Sequence, residues 1–210
     1  MHPNPAFRTE SRARNLAFAR ARGFGTLCLN GEAGPLLSHV PFVLDADGAE
    51  AELHLVRSNP IARFVTAPTA AAIAVQGPDG YVSPDWYGDA GQVPTWNYVA
   101  VHLRGTLEPG EPADMRAHLD SLSANFEDRL PKTPWTADKM EPDTLDRMMR
   151  TILPFRFRVA EFHGTWKLNQ NKSDAMRLAA AGAVAGSGIG QELDALAALM
   201  RSGGPEMDKG

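Results

Sequence analysis

The sequence predicts an α+β domain built around a barrel-like β-sheet. Seven or so short runs of β-forming residues are separated by Gly-, Pro- and Asp-rich turns. Helical periodicity occurs mainly in insertions between these runs and does not alternate with them. The connections before residue 107 are too short for crossover helices, which disfavours a doubly wound parallel sheet.

The predicted helices and strands follow from the local hydrophobic pattern and from the glycine and proline residues that begin or end each element. A helix ends at Arg22, because Gly23 stops it, and another begins at Asn59-Pro60, where proline suits the first helical position. The predicted strands cover 24–29, 36–44, 51–57, 70–76, 95–107 and 155–163. The other predicted helices cover 112–130, a segment starting at Pro142, and a short segment near 191–201. Residues 77–94 are predicted to be a long loop with a brief extended piece.

Length and composition indicate one domain with a tail. We expect a domain over 1–175, which includes a helical insertion at 112–153, and an Ala/Gly-rich tail over 176–210 with a short helix. The glycines of "GSGIGQELDALAAL" in that tail have the wrong spacing for dinucleotide binding, and no strand precedes them.

The net charge and the cysteine content limit which classes of protein the sequence fits. The net charge of -4 argues against a dedicated nucleic-acid surface. The single cysteine, Cys28, lies in an apolar run and reads as a core residue of a protein in a reducing compartment. With no signal peptide and no apolar window of about 20 residues, we expect a cytoplasmic protein without a membrane segment.

The stretch "LHLVRSNPIARF" is the first candidate site. A strand delivers Arg57, Ser58 and Asn59 to the start of a helix, where amide donors and a guanidinium favour an anion. The alternative is that Ser58 or Asn59 merely caps the helix.

Two further stretches carry polar groups at strand ends. "GTWKLNQNKS" crowds Lys167, Gln170 and Asn171 together, which suits the polar edge of a heterocycle; the alternative is a solvated loop followed by a Ser173 N-cap. "VPTWNYVAVHLRG" places Thr95, Trp96 and Asn97 where a strand begins. These three side chains suit a planar ligand or a second protomer, and the alternative is that Trp96 is a core or interface aromatic residue.

The stretch "LLSHVPFVL" indicates an edge or bulged strand. Ser38, Val40 and Phe42 share one face of this strand, and His39 lies on the other. Pro41 cannot donate to a neighbouring strand, so a ligand could approach here.

Five motifs in this order and spacing, "LSHVPF", "LHLVRSNP", "VQGPDGYVSPDWY", "VPTWNYVAVHLRG" and "GTWKLNQNKS", resemble the PaiB-like family of FMN-binding proteins over about residues 1–175. That family was named for negative transcriptional regulators of protease synthesis and sporulation. The resemblance implies an FMN-binding split β-barrel like that of pyridoxamine-phosphate oxidases. It also implies a homodimer that holds two flavins at its interface.

The resemblance also implies roles for the candidate residues. Ser38, His39 and Val40 would line the isoalloxazine ring, and Arg57, Ser58 and Asn59 would clamp the phosphate. Lys167, Gln170 and Asn171 would close around the phosphate or the ring, and Thr95, Trp96 and Asn97 would reach a flavin bound mainly by the other subunit.

Three functions stay open at this stage. The first is an FMN-dependent oxidoreductase acting with a nicotinamide or another small molecule, although the sequence indicates no catalytic base. The second is a flavin-linked negative transcriptional regulator, for which direct DNA binding is not expected because no helix-turn-helix or basic arm is visible. The alternative is a haem-binding or haem-degrading split barrel with His39, His54, His102 or His163 as axial ligand. No pattern of metal-site or G-x-S-x-G type occurs.

Overall fold

The computed structural model describes residues 2–203, and these form a sheet with peripheral helices. The predicted α+β class is confirmed. The strands are β1 (Phe24–Gly31), β2 (Gly34–Pro41), β3 (Val43–Leu44), β4 (Glu50–Val56), β5 (Thr69–Val82), β6 (Thr95–Pro109), β7 (Ile152–Lys167) and β8 (Gly190–Gln191). The α-helices are α1 (Arg12–Arg22), α2 (Pro60–Phe64), α3 (Met115–Glu127), α4 (Pro142–Met149), α5 (Asp174–Ala185) and α6 (Leu193–Arg201).

The hydrogen-bonded strand order is β2-β1-β5-β6-β7-β4-β3, and β8 pairs with β5. The β1–β2, β1–β5, β3–β4, β4–β7 and β5–β8 pairs are antiparallel. The strand that carries Ser38 and Pro41 is therefore an edge strand, as the proline indicated.

The described chain divides into two compact units. We call residues 2–15, 76–101 and 163–203 the terminal unit, and residues 16–75 and 102–162 the central unit. The strands β5, β6 and β7 each contribute one end to each unit. The sequence-based boundary near residue 175 stays a prediction.

The central unit is organised by strands with one buried face. Ala51, Leu53 and Leu55 of β4 are buried, whereas the residues between them are only partly so. The helix α1 ends where Gly23 adopts a φ of +55°, as its position after Arg22 predicts.

Cys28 departs from its predicted place in the core. Gly25, Leu27 and Leu29 are the buried residues of β1, so the alternation of the strand turns Cys28 to the opposite face, where it is half-buried.

The helical insertion lies in the central unit between β6 and β7. It carries α3 and α4, and Arg116 of α3 pairs with Asp120 at 2.8 Å and with Asp138 at 2.7 Å. The predicted helical face of α3 is present in part, since Met115 and Leu122 are buried.

Residues 174–203 contain two helices where the sequence predicts one short helix. Ser173 caps α5, as anticipated, by accepting a hydrogen bond from the Met176 amide at 3.4 Å. The helices α5 and α6 pack against each other through buried apolar residues: Ala180, Ala181, Val184, Leu196, Ala197 and Met200. The remaining predicted tail residues, 204–210, lie outside the described residues.

The strand β5 is longer than predicted, because it continues to Val82 through a segment that reads as a loop. Gly80 in this segment faces α6, and a Cβ there would lie 2.9 Å from side-chain atoms of Leu193 and Leu196. Glycine is therefore used here for close packing and not for a turn. Among residues 2–203, no helix has the length and apolar character needed to cross a membrane.

Candidate functional site

Ser38 and Asn59 meet in the central unit, although 21 positions separate them in the chain. The Asn59 side chain donates from Nδ2 to Ser38 Oγ at 3.0 Å, and its Oδ1 accepts from the Ile61 amide at 2.9 Å. Asn59 therefore caps α2, as the alternative interpretation held, and also ties this helix to the edge strand β2.

Arg57 and Ser58 lie in the turn between β4 and α2, and both are exposed. The Arg57 amide donates to the Thr151 carbonyl at 2.9 Å, and Arg57 Nε donates to the Arg150 carbonyl at 2.6 Å. These bonds hold the guanidinium at the end of α4 and leave its two Nη groups for a ligand.

His39 and Val40 point to opposite faces of β2. His39 is exposed and lies roughly parallel to the Phe24 ring, with centroids 6.4 Å apart. Val40 is 1% exposed, so its side chain packs in the core. A ligand at this strand can contact the His39 ring but only the backbone of Val40.

Thr95 and Lys167 meet in the terminal unit. Lys167 Nζ donates to Thr95 Oγ1 and lies 5.8 Å from the centroid of the Phe7 ring. Burial lowers the pKa of Lys167, and the nearby Lys172 ammonium lowers it further. A half-buried ammonium of this kind is suited to an anionic partner.

The Gln170 side chain forms hydrogen bonds with the protein's own backbone. Its Nε2 donates to the carbonyls of Trp166 at 2.6 Å and Ala6 at 3.1 Å, and its Oε1 accepts from the Leu168 amide at 2.8 Å. Asn171, the next residue, is exposed. Gln170 thus holds the turn after β7 in place, and Asn171 is the amide that solvent reaches.

Trp96 and Asn97 have opposite environments. Trp96 is 47% exposed, and its ring lies edge-on to Tyr81 with centroids 6.3 Å apart. Asn97 is fully buried, its Nδ2 lies 3.4 Å from Met200 Sδ, and its Oδ1 has no hydrogen-bond partner among the described residues. Trp96 is therefore available to a ligand or a protomer, whereas α6 covers Asn97.

The sequence reasoning missed a buried histidine pair in the central unit. His54 Nδ1 and His118 Nε2 are 2.9 Å apart, and His118 Nδ1 lies 3.6 Å from Glu52 Oε2. Burial, followed by the neighbouring His118, lowers the pKa of His54 to about 4, and burial also lowers the pKa of His118. The position of His118 on α3, next to the predicted apolar face, was the available clue.

A second missed feature is the polar core of the terminal unit. Tyr87 donates its hydroxyl to Asn169 Oδ1 at 3.2 Å, and burial raises the pKa of Tyr87. Asn169 adopts a φ of +63°, a conformation that asparagine tolerates better than most residues. Trp166 Nε1 donates to Asn15 Oδ1 at 2.9 Å. Tryptophan and tyrosine thus find buried partners, as their polar tips require.

The structure brings the predicted residues together in two groups. Ser38, Asn59 and the adjoining Arg57 form the group of the central unit, and Thr95 with Lys167 forms the group of the terminal unit. The exposed Arg57 guanidinium and the adjoining exposed Ser58 hydroxyl fit a phosphate, and the half-buried ammonium of the second group fits a polar ring edge or an anion. Residues 2–203 contain no cluster of three or more His, Cys, Asp or Glu that could hold a metal ion.

Comparison with known proteins identifies the family. The family model described as "Putative FMN-binding domain" matches residues 1–161. The chain belongs to this FMN-binding family. The family covers β1 to β6 and most of β7, including Ser38, Arg57, Asn59 and Thr95, whereas Lys167, Gln170 and Asn171 lie beyond the matched range.

The similarity expected from the motifs is confirmed by a curated relative. The chain is 29% identical over 159 residues to the "Protease synthase and sporulation protein PAI 2" of Bacillus subtilis, and the match covers 75% of this chain and 76% of that protein. The predicted cofactor, FMN, agrees with the family.

Solved structures confirm the split-barrel fold. The FAD and haem binding protein of Mycobacterium smegmatis matches with a TM-score of 0.55 at 18% identity, covering 77% of this chain and 73% of that one. A conserved hypothetical protein of Mycobacterium tuberculosis matches with a TM-score of 0.54 at 18% identity, covering 79% of this chain and 91% of that one. At these sequence identities the similarity to solved structures shows the fold alone.

Proposed function

We propose that this chain is a homodimeric FMN-dependent oxidoreductase that acts on a small molecule, with a reduced nicotinamide as the expected electron donor. The observation that carries the proposal is the match to the FMN-binding family over residues 1–161. When bound, FMN supplies hydride and electron transfer, and the protein binds and orients it.

The phosphate end of the flavin is assigned to the central unit. Arg57 contributes two Nη groups and Ser58 a hydroxyl, and both residues are exposed at the end of β4. Charge-assisted hydrogen bonds from a guanidinium are among the strongest contacts that a phosphate can receive. Asn59 acts as a positioning residue, because its side chain is already bonded to Ser38 and to the Ile61 amide.

Within the central unit, the ring end of the flavin is assigned to His39 of β2, whereas Trp96, Thr95 and Lys167 of the terminal unit are assigned to a flavin held mainly by the partner subunit. Trp96 offers an exposed aromatic surface and Lys167 a half-buried cation. A cation near the ring favours the anionic reduced form electrostatically. In a dimer, the Thr95–Lys167 pair would serve the flavin held mainly by the partner subunit.

A second copy of the chain is supported by the exposed face that the edge strand β2 forms with its neighbour β1. Leu37 is 63% exposed and Phe24 52%, and the register of β1 with β2 places Leu37 opposite Cys28 and Phe24 opposite Pro41. These residues share one face because opposite residues of antiparallel strands project to the same side. Contiguous exposed apolar residues of this kind are typical of protein interfaces.

A regulatory role is the second candidate, because the Bacillus subtilis relative is named for protease synthesis and sporulation. The net charge of -4 favours an indirect effect on transcription over direct DNA binding. Among the histidines considered as axial ligands of a haem, His54 is engaged with His118.

The absorbance spectrum and the mass of the cofactor released from the purified protein test FMN binding first. Anaerobic mixing of the FMN-loaded protein with NADH or NADPH then tests the chemistry by bleaching of the flavin absorbance. Rapid bleaching supports the oxidoreductase. No bleaching, together with retardation of promoter DNA in a gel, would overturn it in favour of direct regulation.

A further inference from the structure

A cavity of about 350 Å³ lies within the central unit, between the helical insertion and the strands β4 and β7. Its walls include Arg57 from the end of β4, Arg116 from α3, and Asp146 and Arg150 from α4 and its C-cap. Met115 and Met149 add apolar surface. This volume falls within the range of small-molecule sites in proteins.

Two of the three arginines in this cavity have unused donors. Arg116 is balanced by Asp120 and Asp138, so its charge is already satisfied. Within residues 2–203, the Arg150 guanidinium and the Nη groups of Arg57 have no hydrogen-bond or ion-pair partner. Asp146 is the one carboxylate of the lining, and it faces the two unpaired guanidinium groups of Arg57 and Arg150.

The backbone fixes the two free arginines relative to each other. Arg57 Nε donates to the Arg150 carbonyl at 2.6 Å, and the Arg57 amide donates to the Thr151 carbonyl at 2.9 Å. These two bonds join the end of β4 to the end of α4. The Arg57 side chain and the Arg150 backbone are therefore held together, and both guanidinium groups line one cavity.

We propose that Arg57 and Arg150 together form a binding site for a phosphate monoester. A phosphate monoester carries nearly two negative charges and three acceptor oxygens, which two planar guanidinium groups can match in bidentate fashion. The methionines cover an apolar body attached to the phosphate. The helical insertion thereby supplies a ligand contact, through Arg150, that the motif around Arg57 does not contain.

The phosphate can come from two sources. It is either the phosphate of FMN, in which case the inference rests on the proposed function and adds Arg150 to the phosphate contacts, or that of a separate phosphorylated small molecule. Titrations with flavins and with phenyl phosphate distinguish these sources.

The test compares the wild type with Arg150→Gln and with the matched control Arg147→Gln. Arg147 lies on the same helix α4, is exposed and does not line the cavity. Fluorescence titrations at low ionic strength give the Kd for FMN and for riboflavin, which lacks the phosphate. Calorimetric titration with phenyl phosphate is carried out on the flavin-free protein and on the FMN-saturated protein.

If the phosphate belongs to the flavin, Arg150→Gln weakens FMN binding about tenfold and leaves riboflavin binding unchanged. The variant then also weakens the binding of phenyl phosphate to the flavin-free protein, but not to the FMN-saturated protein. If the ligand is separate, the same variant keeps FMN affinity and loses phenyl phosphate binding to the FMN-saturated protein. Arg147→Gln matches the wild type in both cases.

The inference is overturned if Arg150→Gln binds FMN and phenyl phosphate with the affinities of the wild type. It is also overturned if the wild type binds no phenyl phosphate and has equal affinities for FMN and riboflavin. Circular dichroism checks the fold of each variant, and Arg150→Lys, which keeps the charge but loses the planar fork, replaces Arg150→Gln where folding is impaired. If the wild type binds no flavin, the proposed function fails, whereas the titration of the flavin-free protein with phenyl phosphate still decides this inference.

Discussion

Asn59 Nδ2 donates to Ser38 Oγ at 3.0 Å, which joins the start of α2 to the edge strand β2. The same side chain caps the helix through its Oδ1. One residue therefore connects the two sequence motifs assigned to the ring and to the phosphate of the flavin.

Asn59→Ala removes both bonds and is expected to lower the free energy of unfolding by about 2 kcal/mol, because a cap and a side-chain bond are each worth about 1 kcal/mol. Ser38→Ala is the matched control. It removes only the acceptor on β2 and should cost about 1 kcal/mol or less. Urea denaturation measures both variants, and equal losses would contradict the capping role of Asn59.

Lys167→Met is expected to weaken FMN binding about tenfold, because a half-buried ammonium contributes a charge-assisted contact to a bound anion. Lys172→Met removes the same charge from the terminal unit and serves as the control. Since the pKa of Lys167 is lowered, the wild-type affinity should also fall as pH rises, at a lower pH than for an ordinary lysine. Equal affinities in a fluorescence titration of the two variants would remove Lys167 from the site.

The histidine pair predicts acid sensitivity of the central unit. The pKa values of His54 and His118 are lower in the folded protein than the usual 6.5, so the unfolded chain binds more protons below that pH. Stability should therefore be fully present above about pH 6.5 and should fall as pH drops toward 4, the pKa of His54. Because His118 is buried whereas His54 is partly exposed to solvent, which screens its charge, the loss is expected to be about 2 kcal/mol.

Urea denaturation between pH 5 and 8 checks this dependence. His118→Gln should flatten it, since one of the two protons is no longer taken up on unfolding. His39→Gln, at an exposed position on β2, should leave it unchanged. Glu52 lies 3.6 Å from His118 and Arg156 and Asp114 line the small space beside it, so their charges act on the same pair. An unchanged slope in His118→Gln would show that other groups cause the acid sensitivity.

Leu37→Glu is expected to convert the proposed dimer to a monomer, because it places a charge on the exposed apolar face of β1 and β2. Leu178→Glu changes a comparably exposed leucine, 47% exposed, on α5 and should leave the dimer intact. Analytical ultracentrifugation distinguishes the two states. A monomeric wild type, or a dimeric Leu37→Glu variant, would rule out this face as the interface.

The local sequence pattern was sufficient to predict an element where one face of that element is buried. The strand over 51–57, the stop at Gly23 and the edge position of Pro41 were predicted from neighbouring residues alone. These features depend on backbone preferences and on a period of two or 3.6 residues, both of which are visible within a short window.

Local pattern was misleading where distant segments pack together. The glycines and proline of residues 77–80 read as a loop, yet they lie in β5 because α6 packs against Gly80 and β8 pairs with Asp79 and Gly80. In the same way Asn97 read as a ligand contact, and Met200 of α6 buries it. No window around these residues contains the helix that determines their environment.

The sequence by itself determined the α+β class, the family and most element positions, because hydrophobic periodicity and motif spacing are properties of the chain. The tertiary structure decided which polar groups remain free. Asn59 and Gln170 are used by the protein's own hydrogen bonds, whereas Arg57, Ser58 and Arg150 keep donors that a ligand can take. The physical reason is that satisfying a polar side chain requires partners from distant parts of the chain, and only folding brings those partners within hydrogen-bond distance.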